Sequence, residues 1–238
     1  NAVISRLSTG DKLGIASPLF YPRFAVLDPT YTYTLDERQV SNGVVDAFVH
    51  TIEQYLTYPV NAKVQDRFAE GILCTLIEEG PKALQEPQNY DVRANIMWSA
   101  TMALNGLIGA GVPQDWATHM IGHEITAVHG LDHAQTLAIV LPNLMAHQKE
   151  AKREKLLQYA ERVWSLDPCD EESIDRAILL TRDFFEKMGT STRFSGYGID
   201  EPKIERIIEK LNEHGMTALG EHGKIDLTSC REILEASR

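Results

Sequence analysis

Basic residues, cysteines and long apolar runs are all scarce in this chain, and each scarcity removes a class of function. Only 23 lysines and arginines stand against 34 aspartates and glutamates, a net charge of −11. Nucleic-acid backbones and anionic membrane surfaces attract basic patches, so neither is expected as a main partner. The three cysteines, Cys74, Cys169 and Cys230, form an odd, widely spaced set with no C-x-x-C pair. No disulfide framework is expected, and a reducing cytoplasm is the simplest compartment. No apolar stretch approaches the roughly 18 residues that a membrane-spanning helix needs. No basic segment followed by an apolar run marks a signal peptide. No G-x-G-x-x-G fingerprint occurs either.

What remains is a chain of 238 residues, 43% of them hydrophobic, of ordinary soluble globular character. A chain of this length buries roughly 70–75% of its unfolded surface, enough for a full core in one or two domains. Asn1 is not a methionine and opens straight into the apolar Ala2-Val3-Ile4-Ser5. That beginning reads as a cut within a longer protein.

Residues 1–34 have a β-like texture. Val3-Ile4-Ser5 and Phe24-Ala25-Val26-Leu27 are short apolar runs separated by Gly10, Gly14, Pro18 and Pro22, and they predict two strands. From residue 35 the periodicity turns helical. Helices are expected over 36–57, 62–85, 92–111, 115–129, 134–146, 152–165, 171–187, 202–214 and 227–236. The fold class is mostly α, a helical domain over 35–238 with a short β segment over 1–34 in front of it.

Four of the eight histidines, His119, His123, His129 and His133, fall within fifteen residues. Trp116, Met120, Ile121, Ile125 and Val128 make the helix that carries His119 and His123 apolar almost all round, which predicts a buried helix. His119 and His123 share one stripe of it. A single buried imidazole is most simply hydrogen-bonded to backbone or an acid, but several together are most easily satisfied by a metal ion. His133 follows the Gly130 stop, so a tight turn could return it toward His119. For His129, near the helix C-terminus, the helix dipole or a carbonyl is a sufficient partner. The metalloprotease signature His-Glu-x-x-His fails, because His123-Glu124 is followed by Ala127.

Upstream, Asp46 and His50 lie four residues apart, about 40° around a helix. They point away from the stripe of Val44, Val45, Phe48, Val49 and Ile52. Taken alone, the pair reads as a solvated polar face. The alternative is a face turned into a cleft. Asp46, His50, His119 and His133 together would then offer one oxygen and three nitrogens, a set suited to zinc or ferrous iron rather than magnesium or calcium.

Asp46-x3-His50 followed by His119-x3-His123-x9-His133 resembles the signature of the iron-containing (group III) alcohol dehydrogenases. Asn42-Gly43-Val44-Val45-Asp46-Ala47 and Gly130-Leu131-Asp132-His133-Ala134-Gln135 are most similar to the NADPH-dependent aldehyde reductase and butanol dehydrogenase branch. The resemblance runs through essentially the whole chain. It implies the helical metal-binding domain of the dehydroquinate-synthase-like fold, with residues 1–34 left over from a nucleotide-binding domain. That domain's Gly-Gly-Gly-Ser phosphate loop is not in this sequence.

Carried over by position, the resemblance implies Asp46, His50, His119 and His133 as metal ligands and His123 as an active-site histidine in proton traffic. It implies Lys12 and Leu27 as cofactor contacts, although Lys12 on its own reads as an ordinary turn lysine. The activity implied is hydride transfer between NADP(H) and short-chain aldehydes or primary alcohols, with Zn2+, or alternatively Fe2+, as the metal. The implied partners are a small aldehyde or alcohol, an N-terminal nucleotide-binding half, and a second copy in a homodimer. Two alternatives share the pattern: a polyol dehydrogenase or dehydroquinate-synthase relative, and a helical metal-binding module without turnover.

Overall fold

The computed structural model describes residues 2–6, 8–9, 11–15 and 17–238. Asn1 and Gly10 lie outside the described residues. Strands β1 (Ala2–Arg6) and β2 (Asp11–Ile15) pair antiparallel, with Ala2 opposite Ile15 and Arg6 opposite Asp11. The second strand is therefore not at Phe24–Leu27. That run belongs to no strand or helix, with Phe24 and Val26 more than four-fifths exposed. With no neighbouring strand, its β-favouring side chains have no ladder to join.

The helical part comprises α1 (Glu37–Tyr55), α2 (Lys63–Gln85), α3 (Tyr90–Leu104), α4 (Ala117–His129) and α5 (His133–His147), then α6 (Arg153–Trp164), α7 (Ser173–Lys187), α8 (Ile204–Glu213) and α9 (Leu227–Glu235). The starts follow local capping chemistry. The Asp36 carboxylate accepts from the Gln39 amide, and the Asn89 side chain accepts from the Asp91 and Val92 amides. Helix α3 ends seven residues short of the expected Gly111. Asn105 closes it, its side chain accepts from the Leu107 amide, and Gly106 turns left-handed at φ 90°.

Two apolar cores meet along α5. Leu137, Ala138, Leu141 and Met145 face a core shared with α1, α2, α6 and α7. Ile139, Val140 and Leu144 face a second one, shared with α4, α8 and α9. A helix that packs on both sides must be apolar all round, as α5 is. Helix α1 is buried nearly as completely, from Val40 to Tyr55.

Where α4 crosses α5, Gly122 makes the approach possible. A Cβ there would sit 2.8 Å from the Thr136 hydroxyl oxygen and 3.1 Å from Leu137 Cδ2. Thr136 is fully buried and its hydroxyl donates to the His133 carbonyl, so it has nowhere to go. Gly122→Ala should therefore destabilise the fold by about 1–3 kcal/mol, the usual range for overpacking, as read from the urea unfolding midpoint. An unchanged midpoint would show that the two helices are not held in tight contact.

Candidate metal centre

The turn between α4 and α5 decides the geometry of the site. Gly130 ends α4 at φ 72°, a left-handed position that favours glycine, and Asp132 with Gln135 forms a capping box that starts α5 at His133. His133 is thus the first residue of its helix, folded back over α4. The same turn is tied to α1. Asn42 Nδ2 donates to the Asp132 carboxylate at 2.8 Å, and Arg38 pairs with it at 3.0 Å. One and two turns beyond Asn42 on α1 come Asp46 and His50.

Three helices accordingly bring four of the predicted residues together. Ligand atoms of Asp46, His50 and His119 all lie within 4.8 Å of one another. His133 Nε2 is 3.6 Å from Asp46 Oδ1, and His119 Nε2 is 4.0 Å from the same oxygen. The His50 and His119 rings are 4.2 Å apart, those of His119 and His133 5.1 Å. His123 is one ring further out, 5.2 Å from His133 and 6.4 Å from His119. His129, the remaining histidine of the run, turns away and accepts from the Lys203 amide.

Asp46 and His50 therefore face a cleft, not bulk solvent. His50 Nδ1–H donates to its own helix, to the Asp46 carbonyl at 2.8 Å, which leaves Nε2 for a cation. Asp46 Oδ1, His119 Nε2, His123 Nε2 and His133 Nδ1 are buried without a hydrogen-bond partner. Each such orphan costs about 1–3 kcal/mol, and two of them, Asp46 Oδ1 and His119 Nε2, face each other across 4.0 Å beside His50, which calls for a partner between them. The charge states suit a divalent ion. Burial pushes His119, His123 and His133 down to about 3, with neighbouring imidazoles adding to it, so all three are neutral with free lone pairs. Burial would raise Asp46, but His50, whose Nδ1 lies 3.4 Å from its carboxylate, together with His133 and His119, holds it below its ordinary value. Burial would lower His50, but the hydrogen bonds and charge of Asp46 raise it. One carboxylate oxygen with the nitrogens of His50, His119 and His133 is a donor set for zinc or ferrous iron.

The group forms the wall of a cavity of about 470 Å³ that is also lined by Val3, Ile15, Leu104, Trp116 and Met120. The hairpin closes it from above. Asp11 anchors that hairpin, accepting from Lys210 Nζ at 2.9 Å and lying 3.2 Å from His214 Nε2, while His214 Nδ1 meets Glu124 at 2.7 Å. Lys12 on β2 is consequently half-buried. Burial lowers its pKa, against the opposing pull of Asp46. Lys12 does not line the cavity, and neither does Leu27, which is 44% exposed.

Sequence reasoning missed what stands behind His119. Glu53, one turn beyond His50 on α1, is 3% exposed and faces the His119 Nδ1–H. Its other oxygen accepts from the Thr118 amide at 2.6 Å. Two residues before Thr118, Trp116 sits at φ 62°, a left-handed conformation costly for a bulky side chain. It is held there by Asp115, whose amide donates to the Glu53 carbonyl and whose carboxylate caps the Ala117 amide.

Residues 40–236 match the family model described as the Fe-containing alcohol dehydrogenase family, C-terminal. The chain belongs to this family. It is 67% identical over 238 residues to the NADPH-dependent aldehyde reductase YqhD of Escherichia coli K12, covering all of this chain and 62% of that protein. It is 34% identical over 239 residues to NADH-dependent butanol dehydrogenase A of Clostridium acetobutylicum, covering 99% of this chain and 61% of that one. The substrate- and cofactor-free E. coli aldehyde reductase superposes on the whole chain with a TM-score of 0.95 at 66% identity, over 63% of its own length. A Thermotoga maritima NADH-dependent butanol dehydrogenase A covers 99% of the chain at TM-score 0.93 and 29% identity, over 61% of its own length. The chain thus spans a little over three-fifths of the relatives it matches.

Proposed function

We propose that this chain is the metal-binding half of an NADPH-dependent aldehyde reductase that interconverts short-chain aldehydes and primary alcohols. The facing of the orphaned Asp46 Oδ1 and His119 Nε2, with His50 and His133 beside them and an apolar-walled cavity in front, carries the reading. In it, Asp46, His50, His119 and His133 hold one divalent ion, zinc or alternatively ferrous iron. Once bound, that ion supplies polarisation of a carbonyl oxygen, which stabilises the charge that grows there as hydride reaches the carbon.

The chain's own residues do the rest. Leu104, Trp116 and Met120 pack the substrate's alkyl part and keep water from it. His123, lining the same cavity with its Nε2 unpaired, relays a proton from solvent, accepting it at that nitrogen and handing it on to the oxygen that gains charge. Lys12 and Leu27 meet the cofactor from the hairpin side. NADP(H) itself is held mainly by a nucleotide-binding part outside residues 1–238, of which residues 1–34 are read as a remnant. Two features support this. The relatives are longer, and among the described residues no strand feeds a helix through a glycine-rich turn that could cradle a pyrophosphate. A cytoplasmic homodimer completes the reading, in keeping with three free cysteines.

The test is NADPH consumption with butanal, by this chain alone and by the chain joined to a nucleotide-binding part of the length its relatives have. The joined protein should turn over and the isolated chain should not. Clear turnover by the isolated chain, with mass spectrometry showing no second polypeptide, would move the cofactor site into these 238 residues.

A further inference from the structure

We infer that the His214 imidazole is a pH-sensitive clasp that holds the β1–β2 hairpin closed over the cavity. The hairpin contributes Ala2, Val3, Gly14 and Ile15 to the cavity wall. Apolar packing fixes it poorly, for Val3, Ile4, Leu13 and Ile15 remain 41–58% exposed. Among the described residues, every hydrogen bond and ion pair from the hairpin to the helical body ends on Lys210 or His214. Lys210 Nζ donates to the Thr9 carbonyl at 3.2 Å and to Asp11, with Glu213 3.3 Å away as a competitor. His214, which caps α8, reaches Asp11 on β2 with Nε2 and Glu124 on α4 with Nδ1. Among the described residues, the charged groups facing its ring are Glu124 from α4, Asp11 from β2, and Lys210 with Glu213 from its own helix.

Both ring nitrogens thus lie opposite carboxyl groups, and a neutral ring has a hydrogen for only one of them. Thr9 and then Lys210 hold Asp11 well below the usual carboxylate range, so it is anionic and Nε2 donates to it. Nδ1 and Glu124 Oε1, 2.7 Å apart, need a second proton between them, whichever of the two carries it. Glu124 above all, then Asp11, raises His214 against the pull of burial, and burial raises Glu124 against the pull of His214. That second proton therefore leaves only above the ordinary histidine range. Once it has left, one N–H faces two anions. The Glu124 side chain is 2% exposed and its Oε2 already lacks a partner, so Glu124 keeps the N–H. Asp11, a quarter exposed, turns to water instead. The bond that breaks is the one to the hairpin. The clasp is closed in mild acid and slackens as pH rises through the raised value.

Trypsin cleavage after Lys12, followed by mass spectrometry and divided by the rate for a free peptide of residues 8–17 at the same pH, reads how often the hairpin is open. In the wild-type chain this ratio should rise about tenfold with pH, the effect of one hydrogen bond between charged groups. Its midpoint should coincide with the His214 ring titration followed by NMR. Two variants should remove the rise in opposite ways. His214→Ala has no link to Asp11 and should be cut fast at every pH. In Glu124→Gln the amide NH2 supplies the hydrogen that Nδ1 needs, so a neutral ring keeps its N–H on Asp11 and cleavage should stay slow at every pH. A general loss of stability does not imitate that slow profile. A flat wild-type profile across the His214 titration would overturn the inference. So would a pH-dependent rise that survives in His214→Ala, or a Glu124→Gln hairpin that opens with pH as the wild type does.

Discussion

With zinc supplied, the chain should bind about one equivalent, and His119→Ala or His133→Ala should each leave almost none, by the four-ligand logic of such sites. Loss of an outer partner of a ligand costs about 10–100-fold in affinity, so loss of a ligand itself should cost more. Two controls come from the same histidine-rich run. His123 sits a ring beyond the ligand set and His129 accepts from the Lys203 amide. Both alanine variants should keep their metal, and His123→Ala should lose turnover in the joined protein. Full metal content in both His119→Ala and His133→Ala would discard the assignment. Unfolding offers a second check, because a ligand at a thousand times its Kd stabilises the folded state by about 4 kcal/mol. Wild type should gain that on zinc addition, and the two ligand variants should not.

The part of this site that was legible in sequence is the part held in local spacing. Asp46 with His50, and His119 with His123, are one helical turn apart, and Gly130 and Asp132 announce the turn that returns His133. Side-chain type and a period of 3.6 suffice for that. Glu53 was invisible for the opposite reason. It is a plain acidic residue on a polar stretch of α1 until the start of α4, 65 residues later, docks over it. Whether Asp46 and His50 face water or a cleft was equally open in the residues alone, since α1 presents them away from its apolar stripe. Only the packing of α4 and α5 across that side closes it. The strand error has the same origin. Phe24–Leu27 has β-favouring side chains, but β1 pairs instead with the glycine-containing Asp11–Ile15, which local propensity alone passes over.

Lys152→Met should be among the most destabilising single substitutions in the molecule. Lys152 is 6% exposed, and its ammonium donates to the Leu56 carbonyl and the Asp115 carboxylate, both at 2.7 Å, and to both oxygens of Glu221. Those bonds join the end of α1, the approach to α4, the start of α6 and the loop before α9. The Asp115 and Glu221 side chains are themselves 3% and 5% exposed. Methionine fills the stem's volume but leaves two carboxylates facing each other without a cation. Removing one partner of a buried ion cluster costs about 3–5 kcal/mol, most of it the uncompensated charge left behind. If that charge is the cause, neutralising it should restore stability. The triple variant Lys152→Met, Asp115→Asn, Glu221→Gln keeps an oxygen for the Ala117 amide and should recover most of the loss, because a neutral isosteric cluster has no stranded ion. Urea midpoints of the single and triple variants separate this from a packing effect: equal losses in both would mean that the lysine acts through its bulk. The single variant should also weaken zinc binding, since Asp115 fixes the left-handed turn at Trp116 and the start of α4, and with them the distance from Glu53 to His119.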